Sequence, residues 1–395
     1  MNSCASEARV RRVVTALVVC LSTGLAGCST LPGQGPSASD VAGTAQSAPN
    51  EHYDGYLVTR LDSRVAGILA RKNGASFHGR FADHRPAPSQ VIGVGDALLV
   101  TIWEAAAGGL FSSPVIDRAS PGSHTATIPE QVVARDGSVT VPYAGRIQVA
   151  GLTPPEVERR VVKALSGKAI EPQVLVTISR NLSNSATVAG EVTQGARVPL
   201  SSRGDRILDV VATAGGIRSP VHETFITLTR GGRSATVPMQ VLLTSPEENI
   251  FVWPGDTLTL TRSPQSFTAF GASGRNALVT FDALGISLEE AVAKAGGLLE
   301  YQADPSGVFL LRSETAETVR AIDPSYPIAP GVDRINVVYR VDMRDTNTYF
   351  LARQVRVENK DIVYIATAPI NDLQKILQLV QMTASPAATA RTLAN

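Results

Sequence analysis

The chain has 395 residues, 44% of them hydrophobic and 18% charged. At roughly 100–200 residues per domain this is material for several packed domains, and it excludes a chain disordered as a whole. Thirty-six basic and 35 acidic residues leave a net charge of +1, and aromatic residues make up 5%, which excludes a generally basic nucleic-acid surface and a broad base-stacking platform.

The N-terminal segment reads as a secretory leader. Arg9, Arg11 and Arg12 precede an apolar stretch, residues 13–21, interrupted only by Thr15; it is too short to span a bilayer. The leader ends in Leu25-Ala26-Gly27-Cys28 followed by Ser29, a pattern that resembles a bacterial lipobox. Cleavage before Cys28 would make it the acylated N-terminus, with two lipid signals sufficient for stable anchoring. Cys4 and Cys20 lie in the leader, so the three cysteines leave the mature chain with no disulfide and no thiol chemistry. Residues 29–50, rich in Ser, Ala, Gly, Pro and Thr, read as a flexible tether. Residues 53–69 carry weak patterning that favours neither helix nor strand.

The first clear strand runs from the Gly93-Val94-Gly95-Asp96 turn to Trp103. Asp136-Gly137 predicts a hairpin within residues 132–142. Thr153 as N-cap, Pro154 at the first helical position and Glu156 two residues on predict a helix to about Leu165 with Val157, Val161, Val162 and Leu165 on one face. Residues 174–178 alternate as a strand. An internal repeat follows. Gly190 and Gly271 stand 81 residues apart, as do Ala214-Gly215-Gly216 and Ala295-Gly296-Gly297, and the helices before those caps align without a gap. The paired glycines fit left-handed helix caps. Arg230 and Arg312 are expected to close the strand after each cap, and each unit ends in a turn carrying Asp256 or Asp361. The second unit is longer, with its extra chain expected within 314–335. Two units are too few for a solenoid.

The tail from residue 369 is amphipathic. At 100° per residue, Ile370, Leu373, Ile376, Leu377, Leu379 and Val380 share one half of the helix, while Asn371, Gln374, Lys375, Gln378 and Gln381 occupy the other. Residues 370–383 would span about 21 Å against a hydrocarbon core of about 30 Å, so both a spanning and an interfacial placement remain open.

The Gly95-Asp96 strand, the Asp136-Gly137, Pro142, Gly145 and Gly151-Leu152-Thr153 run, Pro172, and the two 81-residue units resemble the Wza-like outer-membrane polysaccharide exporters. The resemblance covers roughly residues 90–383. It implies an α+β, multi-domain chain: signal peptide 1–27, flexible tether 28–52, N-terminal extension 53–88, polysaccharide-export domain 89–182, β-grasp (SLBB) domains 183–265 and 266–368, and C-terminal amphipathic helix and tail 369–395. It also implies a homo-oligomeric ring of about eight subunits with a periplasmic body, lipid-anchored at Cys28 in the outer membrane. The apolar tail face would meet lipid, and Asn371, Gln374, Lys375, Gln378 and Gln381 would line a pore for capsular or exopolysaccharide. The implied partner is an inner-membrane co-polymerase, often a tyrosine kinase. An alternative is a tethered polysaccharide-binding or scaffold lipoprotein without its own pore.

No catalytic, cofactor or metal signature stands out. The histidines His52, His78, His84, His124 and His222 lack metal spacing, and Gly271-Ala272-Ser273-Gly274 is not a nucleophile elbow. The recurring Asp96, Asp256 and Asp361 read either as turn stabilisers or as sugar or subunit contacts. Trp103 and Trp253 read either as packing residues or as carbohydrate-stacking platforms.

Overall fold

The computed structural model describes residues 35–43, 55–72, 76–81, 85–86, 91–105, 110–111 and 124–371. Cys28, the leader and the tail beyond residue 371, with Leu373, Gln374, Lys375, Ile376, Leu377, Gln378, Leu379, Val380 and Gln381, lie outside the described residues. The chain forms two compact units, one of residues 75–264 and one of residues 1–74 with 265–395.

The first of these opens with a three-stranded antiparallel sheet, in which Ala97–Glu104 lies between His124–Val132 and Gln173–Arg180. The helix Pro154–Leu165 packs beside it. Glu156 Oε2 accepts hydrogen bonds from the Thr153 amide and hydroxyl at 2.8 and 2.9 Å, fixing the helix start. Val157, Val161 and Leu165 are fully buried with Leu98, Val100 and Ile102, and each such side chain contributes roughly 1.5–3 kcal/mol. The expected hairpin around Asp136-Gly137 is differently built. Asp136-Gly137 makes a tight turn, with the Gly137 amide bonded to Ala134 O. The strand before it, however, pairs with Ala97–Glu104. The hairpin ladder joins Ser138–Val141 to Gly145–Gln148, and Tyr143, at a φ of 64°, reverses the chain.

The two repeats share one topology. In the first, the sheet order is Arg233–Pro238, Thr224–Arg230, Thr257–Arg262, Ser185–Gly190, Ala196–Pro199. In the second it is Arg334–Val341, Ala303–Thr315, Ile362–Thr367, Gln265–Gly271, Ala277–Phe281. In both, the last long strand runs parallel to the first, and the helices Ile207–Thr213 and Leu288–Lys294 bury one face against the sheet. Gly190 and Gly271 mark the closest backbone approach: a Cβ on either would stand 1.9 or 2.0 Å from the carbonyl oxygen of Leu260 or Ile365. Only glycine fits there, at φ of 93° and 91°.

The repeats differ where extra chain was expected. Arg230 pairs with Arg233 across Gly231-Gly232, whereas Arg312 pairs with Val337; the intervening chain holds the helix Ala316–Ile322. Arg230 does end its strand, but Arg312 does not, because the longer strand continues to Thr315.

Two N-terminal segments pack on the second repeat. Leu57–Arg60 adds a sixth strand, parallel to Arg334–Val341, and the helix Ser63–Lys72 buries Val65, Ala66 and Leu69. Within the stretch that composition reads as tether, Ala38–Gly43 is helical. Val41 from this helix is buried with Phe309, Val338 and Tyr364, and Tyr364 Oη donates to Pro36 O at 2.6 Å. Val41 and Ala38 on this aromatic cluster, with the two tyrosine hydroxyls that bond Pro36 O and Val41 O, hold a short segment of small residues that composition alone would leave loose.

Candidate functional site

The three recurring aspartates are all buried. Asp96 sits at the head of its strand and closes the junction into the first repeat. Its Oδ1 accepts from the Leu182 and Ser183 amides at 2.8 Å, and its Oδ2 from the Gly93 amide at 2.8 Å and the Ser183 hydroxyl at 2.6 Å. With both oxygens committed, this side chain has no lone pairs directed at solvent for a sugar hydroxyl.

Asp256 and Asp361 each serve as the bolt of a repeat. Asp256 Oδ2 accepts from the Trp253 amide at 2.8 Å, and Arg230 grips the same carboxylate through Nε at 3.0 and 3.1 Å and through Nη2 at 2.6 Å. Arg230 Nη2 also donates to Phe251 O at 2.7 Å. Asp361 Oδ2 likewise accepts from the Glu358 amide at 2.7 Å. Arg312 holds that carboxylate through Nε at 3.0 and 3.1 Å and Nη2 at 2.6 Å, and reaches Arg356 O at 2.7 Å. The Asp turn and the Arg strand recur in both repeats because each forms half of one ion pair. The geometry is forked, with two nitrogens on one carboxylate.

The surroundings of the two bolts have diverged. Arg230 lies over the Trp253 and Phe81 rings, 5.1 and 5.5 Å from their centroids. Trp253 Nε1 donates to Arg85 O at 3.1 Å, so this tryptophan packs against the bolt with one face covered by a guanidinium. Arg312 is surrounded by charge. Its Nη1 is 3.1 Å from Glu358 and 3.6 Å from Glu314. Lys72 Nζ bridges Glu314 and Glu358 at 2.6 and 2.8 Å, and the Tyr339 hydroxyl donates to Glu314 at 3.0 Å. Burial works against the charged guanidinium, but Asp361, Glu358 and Glu314 together hold the Arg312 pKa above its ordinary value. Burial likewise opposes Glu358, yet Arg312 and Lys72 hold its pKa below the usual glutamate value. Burial and then the Glu314 charge raise that of Tyr339. All three carboxylates are paired with cations, and Glu314 and Asp361 are buried inside the repeat, an arrangement that holds the fold together.

The second repeat also carries a groove of about 390 Å³ lined by Leu298, Met343, Tyr349, Glu289 and Glu290. Glu290 caps its own helix through the Ser287 amide at 2.8 Å, and Glu289 is 3.6 Å from Arg353. Trp103 is half-buried near the end of its strand, paired with Thr125 on one side and Gln173 on the other. Among the described residues, no group of three or more His, Cys, Asp or Glu side chains is placed to hold a metal ion.

The root of the tail is described as far as Asn371. Ile370 is exposed, while Asn371 is buried and donates through Nδ2 to Gln302 O at 2.9 Å. That bond anchors the first turn of the tail to the second repeat. Among the described residues, no helix is long and apolar enough to cross a membrane. Sequence reasoning noted Asp256, Asp361, Arg230 and Arg312 separately but did not pair them. The available signal was the recurrence of opposite charges in matching elements. Lys72 and Glu314 gave no such signal, because the residues they join are 242 positions apart.

A family model described as polysaccharide biosynthesis/export protein matches residues 84–179, and two described as SLBB domain match residues 185–241 and 265–365. The chain is 34% identical over 380 residues to the capsule polysaccharide export protein BexD of Haemophilus influenzae, covering 94% of this chain and 95% of that one. It is 34% identical over 367 residues to the capsule polysaccharide export outer membrane protein CtrA of Neisseria meningitidis serogroup B, covering 92% and 93%. Identity to the Vi polysaccharide export protein VexA/TviF of Salmonella typhi is 29% over 286 residues, 71% of this chain and 75% of that one.

Proposed function

This chain belongs to the polysaccharide export protein family, and on that premise we propose that it is an outer-membrane lipoprotein whose subunits assemble into a ring-shaped channel for capsular or exopolysaccharide. Its role is transport rather than catalysis. Cys28 carries the lipid, and most of the chain lies in the periplasm. With Asn371, expected on the pore face, committed to Gln302 O at the tail's root, the polar tail residues Gln374, Lys375, Gln378 and Gln381 line the pore, and Ile370, Leu373, Ile376, Leu377, Leu379 and Val380 face lipid. An inner-membrane co-polymerase delivers the polysaccharide.

The observation that carries this reading is the convergence of both membrane-directed segments on one domain. Tyr364, in the last strand of the second repeat, holds Pro36 at 2.6 Å, and that same strand leads into Ile370. Gly35 stands seven positions after Cys28, so even a fully extended linker keeps the lipid within roughly 25 Å of Gly35, beside the sheet from which the tail departs. A closed ring of amphipathic tails satisfies its backbone internally and presents apolar side chains outward, and an amide-rich interior offers donors and acceptors to a hydroxyl-rich chain.

The test is native mass spectrometry and imaging of the detergent-extracted, lipidated protein beside a variant ending at Ala368. A closed ring of about eight subunits, with a membrane-sized collar that is lost with the tail, is the expected result. A monomer with or without the tail refutes the pore and leaves a tethered polysaccharide-binding module.

A further inference from the structure

The loop that follows the helix cap occurs twice in this chain, in the same backbone register. In the first repeat the Arg218 amide bonds to Glu191 O and the Thr193 amide to Gly216 O. In the second, 81 residues on, the Leu299 amide bonds to Ala272 O and the Gly274 amide to Gly297 O. The isolated bridges Val192–Ile217 and Ser273–Leu298 complete the match. The backbones agree, so differences in side chain at these positions are not needed to form the loop.

Those side chains differ in kind. In the first repeat Glu191 Oε2 accepts from Arg218 Nη2 at 3.1 Å and from the Ser219 hydroxyl at 2.6 Å, closing a polar loop on itself. In the second repeat Glu191 is replaced by Ala272, Arg218 by Leu299, Ser219 by the exposed Glu300 and Pro220 by Tyr301, so no polar closure of this kind can form. Leu299 is 37% and Tyr301 83% exposed. Exposing apolar area costs about 25 cal/mol per Å², and Tyr301 recovers little of this within the fold.

The tail leaves from this same loop. Gln302 O accepts from the Ala368 amide at 2.8 Å and from Asn371 Nδ2 at 2.9 Å. Ile370, 62% exposed, therefore stands on the segment bonded directly to the loop. The repeat without a tail has the self-closed polar loop, and the repeat with the amphipathic tail has an amphipathic one, with Leu299 and Tyr301 exposed beside Glu300. Tyrosine, with an apolar ring and a polar tip, is the side chain that favours the headgroup layer of a bilayer.

We propose that loop 298–302 is an interfacial membrane contact, with Tyr301 and Leu299 entering the headgroup layer of a phospholipid surface beside the root of the tail. This rests on the reading that the tail enters the outer membrane. The bilayer is favoured over a second subunit because this loop is bonded through Gln302 O to the root of the membrane-directed tail.

The test uses full-length, lipidated protein in vesicles of phosphatidylethanolamine and phosphatidylglycerol. Nitroxides are placed at Tyr301→Cys, at His222→Cys in the first repeat, and at Ile376→Cys in the tail; position 301 is exposed enough for the change to leave the fold intact. Spin-label saturation by oxygen, which partitions into lipid, is compared with saturation by a water-soluble nickel chelate. The expected oxygen-to-nickel ratio at 301 is several-fold higher than at 222 and lower than at 376. A water-like ratio at 301 with a lipid-like one at 376 overturns the loop contact alone. Water-like ratios at both overturn the loop contact and the tail reading together. Shielding of 301 from both reagents identifies a subunit contact and overturns the proposal.

Discussion

Removing either member of the Arg312–Asp361 pair should destabilise the second repeat, and the two losses should be unequal for a reason that can be counted. The buried network holds two cations, Lys72 and Arg312, and three carboxylates, Glu314, Glu358 and Asp361, a net charge of −1. Asp361→Asn takes the network to zero while keeping an acceptor for the Glu358 amide. Arg312→Met takes it to −2 and strips the Asp361 carboxylate of its guanidinium bonds. The side chains of Arg312 and Asp361 are 3% and 2% exposed, so water compensates little. Breaking a buried pair costs about 3–5 kcal/mol, which puts Asp361→Asn near the lower figure and Arg312→Met near the upper. At about 4 °C per kcal/mol for a domain of this size, even the milder change should lower the melting temperature by roughly 12 °C. The assay is thermal unfolding, with hydrogen exchange over Ala303–Thr315 and Arg334–Val341 to assign the transition to the second repeat. The Arg312→Met deficit should shrink on acidification, as protonation of the crowded carboxylates relieves their repulsion. Arg312→Met/Asp361→Leu restores −1 and should cost less than Arg312→Met alone. The account is refuted if Arg312→Met is no worse than Asp361→Asn, or if its deficit grows as the pH falls.

Other perturbations follow from the same geometry. Gly271→Ala should cost more than about 3 kcal/mol, since its Cβ would stand 2.0 Å from Ile365 O, whereas Gly297→Ala, at a φ of 73° with open space around it, should cost about 1–2 kcal/mol from handedness alone; urea unfolding separates the two. Lys72→Met removes the cation that bridges Glu314 and Glu358, and with its side chain 27% exposed the loss should be about 1 kcal/mol, read as faster exchange along Ser63–Lys72. In the wild type, Glu358 has a pKa depressed below the ordinary 4.5. Its contribution is therefore complete above that value and is lost as the pH falls through the depressed folded value. A stability profile measured between neutral and acidic pH should show this loss on the acid side of the usual glutamate range, and the Arg312→Met variant should show a smaller one, carried by Lys72.

Much of this fold is written in local pattern. The helix Pro154–Leu165 is readable from Thr153, Pro154, Glu156 and the spacing of its valines, because capping and amphipathicity act within four residues. The duplication is readable because Gly190 and Gly271 meet the same carbonyl in each repeat, and no other residue fits there. Asp136-Gly137 was legible as a turn but not as a ladder, since a turn fixes chain reversal while the partner of a strand is chosen by the whole sheet. Leu57–Arg60 was not legible at all. Four residues carry little periodicity, and what makes them a strand is the edge at Val337–Arg340, 280 positions further on (337 − 57). The same holds for Ala38–Gly43, which is built mostly of small residues and is ordered by Val41 against Phe309 and Tyr364. The aspartates were legible as turn residues, but their arginine partners lie 26 and 49 positions away, and pairing them requires knowing which strands meet.

The two bolts show what duplication left unchanged and what it altered. The forked Arg–Asp contact, the amide that caps the carboxylate and the glycine at the closest approach are the same in both repeats, so they belong to the β-grasp itself. What differs lies around them. The first bolt is covered by the rings of Trp253 and Phe81. The second is ringed by Glu314, Glu358 and Lys72, and Lys72 comes from the N-terminal helix that packs on this repeat. Cations and carboxylates that must balance couple the N-terminal extension to the inserted chain and to the last turn before Ile362–Thr367, the strand that leads to Ile370. That charge network is complete only when the N-terminal helix is seated, because Lys72 supplies one of its two cations. The first repeat, which has neither the extra strand nor the tail, holds the same bolt with apolar rings.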